Sequence, residues 1–130
     1  MSAGVLPDLD GPERIDALVL AFYDRVRPDP VLGPWFANVD WPHHTPRIQA
    51  FWKGLLLGRP GYTGEPMSAH IALHRRLPLS AAQFDRWVEL WTDAVRARHA
   101  GPKAEEAISR ALSIAAVMKH KVLSASASAG

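Results

Sequence analysis

Apolar residues recur along this chain at helical spacing, and the recurrences are punctuated by proline and glycine. Asp10-Gly11-Pro12 reads as a helix start, a cap followed by a proline near the first turn. Ile15, Leu18, Val19, Phe22 and Val26 then hold one face, and the helix should stop near Arg27, before Pro28. Asp29-Pro30 and Gly33-Pro34 break the next stretch into a turn-rich connector carrying Leu32, Trp35 and Phe36. A second helix is predicted to begin between Asp40 and Thr45, because Pro42 and Pro46 are tolerated only in a first turn or at a kink. It should run to about Leu57 ahead of Gly58, with Ile48, Phe51, Trp52 and Leu55 as its apolar face.

Residues 58–66 contain three glycines and two prolines, too many for regular structure. A loop of this length between helices often wraps something. Pro66 opens a short segment with Met67, His70, Ile71 and His74 on one face, ending before Pro78 and too short to be stable alone. Ser80 with Gln83 reads as a capping box for a strong helix whose stripe is Phe84, Trp87, Val88, Trp91 and Val95, ending near Ala100-Gly101. Pro102 opens the last helix, in which Ile108, Ala111, Leu112, Ala115 and Val117 or Met118 carry the pattern to about Val122. No run alternates with a period of two, so the expected class is all-α. Residues 1–123 are expected to form a single domain, and residues 124–130 a disordered Ala/Ser tail.

Composition narrows the chemistry. With no cysteine, disulfides, zinc thiolates, iron–sulfur clusters and thiol catalysis are excluded, and any metal must sit on His, carboxylate or Tyr. Residues 1–9 lack the pattern of a secretory signal, and no stretch approaches the roughly 18 apolar residues of a membrane span, so the expected address is cytoplasmic, without a membrane partner. A net charge of +2, with basic and acidic residues interspersed, gives no nucleic-acid-binding stripe. The alternative of a small helical nucleic-acid-binding regulator rests on that excess and on His74-Arg75-Arg76, whereas the strongest helices carry Trp and Phe stripes. Five tryptophans supply a large rigid aromatic surface for a core or a pocket lining.

The histidines that could bind a metal are His43, His44, His70 and His74. His70 and His74 share a helix face, but a zinc protease would need Glu after the first of them, and Ile71 stands there. Read alone, His70 is first a partly buried histidine satisfied by a carbonyl. Its setting beside Met67, Ile71 and Leu73, without an acidic co-ligand, suits haem iron, because a porphyrin supplies four ligands and the protein need supply only one. Tyr23, His44 and Trp87 each place a polar group near a mostly apolar face. Singly they read as a core tyrosine, a helix-start residue and a core indole; together they are three donors that could converge on one ligand.

Phe22-Tyr23, Leu32-Gly33-Pro34 with Phe36, Trp41 with His44, Phe51-Trp52, Tyr62 with Gly64 and Pro66, His70, and Phe84 with Trp87 follow one another in an order and spacing that resembles the group III truncated haemoglobins. The resemblance runs from about residue 15 to residue 118, and the absence of paired glycine motifs agrees with that group. It implies a shortened globin fold holding haem b, with His70 as proximal ligand and metal-binding residue, and with Tyr23, His44 and Trp87 in the distal, catalytic positions. Phe36, Ile48, Trp52, Tyr62, Leu73, Arg76 and Leu77 would complete the haem contacts. Arg47 is the leading partner for a propionate, with Arg75, Arg76 and Tyr62 behind it. The ligands implied are O2, CO and NO, with nitric oxide dioxygenase or peroxidase-like redox activity and an unidentified reductase in view. A globin-fold sensor without haem is the other alternative. Two departures bear on geometry: Pro42 and Pro46 flank His44, and Trp35 precedes Phe36 where a smaller aliphatic residue is more usual.

Overall fold

Helix α1 (Pro12–Val26) starts at Pro12, whose missing N–H costs nothing in the first turn. Gly11 is the N-cap and makes no side-chain capping bond; Asp10 instead pairs with Arg14 at 2.8 Å, one turn on. Ile15, Leu18, Val19, Phe22 and Val26 are all buried on one face. The computed structural model describes residues 6–37, 39–58 and 81–129, the side chains of Trp35 and of residues 121–129 excepted. Among the described residues it contains α-helices and one 3-10 turn, and no strand.

The connector after α1 is held by a buried carboxylate. Asp29 accepts hydrogen bonds from the N–H groups of Val31 (3.0 Å) and Leu32 (2.9 Å) and from Nε and a terminal nitrogen of Arg86 (2.9 and 2.7 Å). The chain then passes so close to the end of α1 that a Cβ at Gly33 would stand 2.7 Å from the Arg27 carbonyl oxygen, which leaves room for glycine alone. The 3-10 turn (Gly33–Phe36) follows.

Helix α2 (Trp41–Leu57) accommodates both prolines. Pro42 lies in the first turn, and Pro46 removes only the N–H that would have reached the carbonyl of residue 42, so the helix runs through it without a break. Its backbone ladder begins with the His44 N–H donating to the Asp40 carbonyl at 2.8 Å. It ends at Gly58, in the left-handed region at φ 69°. Lys53 and Gln49 tie α2 to Asp16 of α1, the first by an ion pair of 3.0 Å and the second by a bond to the backbone carbonyl.

Helices α3 (Ala81–Arg98) and α4 (Pro102–Ala129) form the most extensive helix pair. Ala94 on α3 and Ala104, Ala107 and Ala111 on α4 are buried, and such small side chains let the axes approach closely. Trp91, fully buried, stacks on Trp52 of α2 at 4.4 Å, meets Phe22 of α1 edge-on at 5.2 Å and donates its indole N–H to the Ala107 carbonyl. One indole therefore contacts all three neighbouring helices. The chain before α1 docks on the turn between α3 and α4: the Asp8 carboxylate accepts from the Lys103 and Ala104 N–H groups, capping α4.

One expected core position on α4, Leu112, is corrected, and of the alternatives Val117 and Met118 it is Met118 that is buried. Leu112 and Val117 are 54% and 47% exposed, and the buried stripe is Ile108, Ala111, Ala115 and Met118. Ile108 lies at the edge of a stripe centred on Ala104, Ala107, Ala111, Ala115 and Met118, so Leu112, one turn on and further round past that edge, leaves the inner face, and Val117 lies on the far side. The helix also continues through residues 124–129, which contain neither glycine nor proline to stop it.

Burial works to raise the Asp29 pKa, but the Arg86 hydrogen bonds and the two backbone N–H groups outweigh it and hold the carboxyl below its ordinary range. Its contribution to stability is therefore full above the unfolded value of about 3.9 and is lost as pH falls through the lower folded value. Asp29→Ala should destabilise the fold by about 2–3 kcal/mol at neutral pH, because two buried N–H groups lose their acceptor. In urea titrations the gap between variant and parent should narrow at pH 3, and a gap of equal size at both pH values would contradict this assignment.

Candidate functional site

A mostly apolar cavity of about 40 Å³ lies between α1, α2, α3 and α4. That exceeds the roughly 10–15 Å³ needed to seat a single water, so the cavity can take a diatomic molecule. Its apolar wall is formed by Phe22, Phe36, Ile48, Phe51, Trp52, Ile114 and Met118, and its polar groups belong to Tyr23, His44 and Trp87. Each is positioned for a separate reason. Tyr23 follows Phe22 on α1, where the Phe22 ring, locked against Trp91, fixes the helix phase. His44 occupies the first turn of α2, so the proline-rich start of that helix directs it inward. Trp87 lies one turn before Trp91 on α3 and meets Phe22 edge-on at 6.2 Å.

Tyr23 and His44 are joined by a hydrogen bond of 3.0 Å between the phenol oxygen and Nε2. Its direction depends on the imidazole tautomer: Tyr23 donates when Nε2 is bare, and accepts when Nε2 carries the proton. In the second case the Tyr23 O–H stays free to donate into the cavity. Burial pushes the Tyr23 phenol above its ordinary pKa, so at physiological pH it remains a neutral hydroxyl and a donor. The Trp87 indole N–H makes no hydrogen bond among the described residues and, on a half-buried ring in the cavity wall, is a second available donor.

Three of the expected haem contacts, Phe36, Ile48 and Trp52, stand on this wall with the three distal residues. Arg47 stands apart from the cavity lining, exposed on α2. His70, Tyr62, Leu73, Arg75, Arg76 and Leu77 lie outside the described residues. The sequence did not single out Ile114, although it falls one turn before Met118 and in phase with Ile108, Ala111 and Ala115. That register was the available signal. Among the described residues no three His, Asp or Glu side chains gather into a metal site.

The sequence model of the bacterial-like globins matches residues 6–123. The chain belongs to the bacterial-like globin family. Over 89 residues, 64% of this chain and 68% of the relative, this globin is 35% identical to the group 3 truncated haemoglobin ctb of Campylobacter jejuni subsp. jejuni serotype O:2. Its fold is similar to the crystal structure of the group III truncated haemoglobin from Campylobacter jejuni, with a TM-score of 0.77 and 30% identity, covering 86% of this chain and 91% of that one. The fold is that of a truncated globin, and the group is the third. No described helix of the globin is long and apolar enough to cross a membrane.

Proposed function

We propose that this globin binds haem b through His70 and presents Tyr23, His44 and Trp87 to a diatomic ligand, with O2 the foremost and CO and NO alternatives. The observation that carries the reading is the Tyr23–His44 hydrogen bond inside an otherwise apolar cavity, with the Trp87 indole on the same wall. Haem, when bound, supplies an iron that takes up diatomic gases and exchanges electrons.

The protein's part follows from its own groups. Phe36, Ile48 and Trp52 would offer apolar surface, two of them aromatic, to a macrocycle. Arg47, exposed and without an ion-pair partner among the described residues, is available to a propionate at the rim. The Tyr23 hydroxyl and the Trp87 N–H supply fixed donors for a ligand that gains negative charge, and His44, by protonating Nε2, frees the Tyr23 proton to point inward. Donors of this kind in a dry pocket favour slow ligand release over rapid exchange. That balance suits a redox role, nitric oxide dioxygenation or peroxidase-like turnover with an external reductase, better than transport.

The test is a spectrophotometric titration of the purified chain with haem. Saturation at one haem per chain, with a Soret band distinct from free haem, is the expected result. Unsaturable uptake, or a spectrum identical to free haem, would return the molecule to a globin-fold sensor without haem.

A further inference from the structure

Trp41, the first residue of α2, is absent from the cavity wall yet touches both members of its polar pair. Its ring meets Tyr23 edge-on at 4.8 Å and His44 edge-on at 5.7 Å, and it stacks on Phe36 at 5.8 Å with only 25° between the planes. Over it lies the Arg27 guanidinium, 4.3 Å from the ring centroid. Arg27 is the C-cap residue of α1 and makes no ion pair among the described residues, so its charge is directed to this indole face. The end of α1 and the start of α2 thus meet through one cation and one aromatic ring, directly behind the Tyr23–His44 bond.

From this geometry we infer that Trp41 is the positioning residue for the Tyr23–His44 pair, and that Arg27 clamps it in place. The inference rests on the functional reading above for its consequence, although the positioning itself does not require it. His44 is three residues after Trp41 and so on the same side of α2, where a ring filling the space beside it limits rotation of the imidazole away from Tyr23. Phe36 backs the same ring and prevents Trp41 from relaxing toward the connector. A cation over an indole also argues against the rival role of an electron relay to the surface, since positive charge 4.3 Å away opposes oxidation of that ring to a radical cation. What remains is mechanical: the Arg27–Trp41 contact sets the fraction of molecules in which His44 is turned inward and bonded to Tyr23. In a haem-loaded protein it would set how readily a ligand passes His44.

The test uses the full chain labelled with 15N-histidine, reading the His44 Nε2 signal and the exchange of the Tyr23 hydroxyl proton, followed by CO and O2 kinetics on the haem-loaded form. Trp41→Leu should lose the hydrogen-bonded Nε2 signal and expose the hydroxyl to solvent exchange, while Trp41→Phe, which keeps an aromatic ring, should largely restore both. Arg27→Gln should raise the outward population of His44 by about two- to fivefold, the worth of an exposed cation–π contact, and Arg27→Lys less. A Trp41→Leu variant with parental Nε2 signal and hydroxyl exchange would overturn the inference. Should Trp41→Leu fail to fold by circular dichroism, Arg27→Gln decides, and parental signals there would overturn it equally. If the hydrogen bond breaks in Trp41→Leu while gas binding and release stay at parental rates, the positioning role stands and the ligand-facing role proposed for the pair falls.

Discussion

Replacing His70 with Ala should abolish stable haem incorporation, with haem retention through desalting reduced by at least about a hundredfold, beyond the loss typical of a supporting group around a metal ligand. The expectation combines two arguments. His70 sits in an apolar run without an acidic co-ligand, the setting in which one imidazole serves an iron already held by a porphyrin. The imidazole of His44 does not stand in for it, being bonded to Tyr23 in the wall of the cavity. No described cluster offers another metal site. Haem transfer to an acceptor apoprotein measures the effect, and an unchanged axial-histidine spectrum in the variant would remove His70 from the proximal position.

The helices were legible because their apolar stripes repeat at three and four residues and their ends carry proline or glycine. Pro12, Pro102 and Gly58 mark boundaries that the structure keeps. Pro46 comes early enough in α2 that only one backbone bond is lost, and His44 keeps its place in the helix beside Tyr23. Less legible were features that depend on partners distant in sequence. Asp29 reads as a turn residue, and nothing local shows that Arg86, 57 residues away, closes on its carboxylate. Asp8 reads as part of an unremarkable leading segment, yet it caps a helix that starts at Pro102. Leu112 was misplaced, and Val117 and Met118 were left as alternatives, for a different reason: on a helix rich in alanine, several adjacent phases look equally apolar, and only packing selects one. At the site, Tyr23, His44 and Trp87 could be chosen as polar groups on apolar faces, but the bond between the first two is a property of the crossing of α1 and α2.

That bond also refines the expected behaviour of the three distal variants. Tyr23→Phe and Trp87→Phe should each speed O2 dissociation by one to two powers of ten, because a hydrogen bond to a polarised acceptor is worth roughly 1.5–3 kcal/mol. Tyr23 is held by the buried face of α1 and Trp87 by the α3 face that continues into Trp91, so both donors are fixed before a ligand arrives. On the proposed reading His44 acts through its bond to Tyr23. His44→Leu should therefore change ligand entry more than release, with an effect on O2 dissociation smaller than that of either other variant. A larger effect would make His44 the principal ligand contact and displace the fixed-donor account.

The measurement that bears most directly on the central claim, that this cavity holds a diatomic ligand facing Tyr23, is the pair of O2 and CO dissociation rates in haem-loaded Tyr23→Phe against the parent. CO is less sensitive to hydrogen bonding than O2, so the account predicts O2 release faster by about ten- to a hundredfold, with CO release changed far less. Equal acceleration of both gases would point to a general loosening of the pocket, and parental rates for both would show that Tyr23 does not face the ligand.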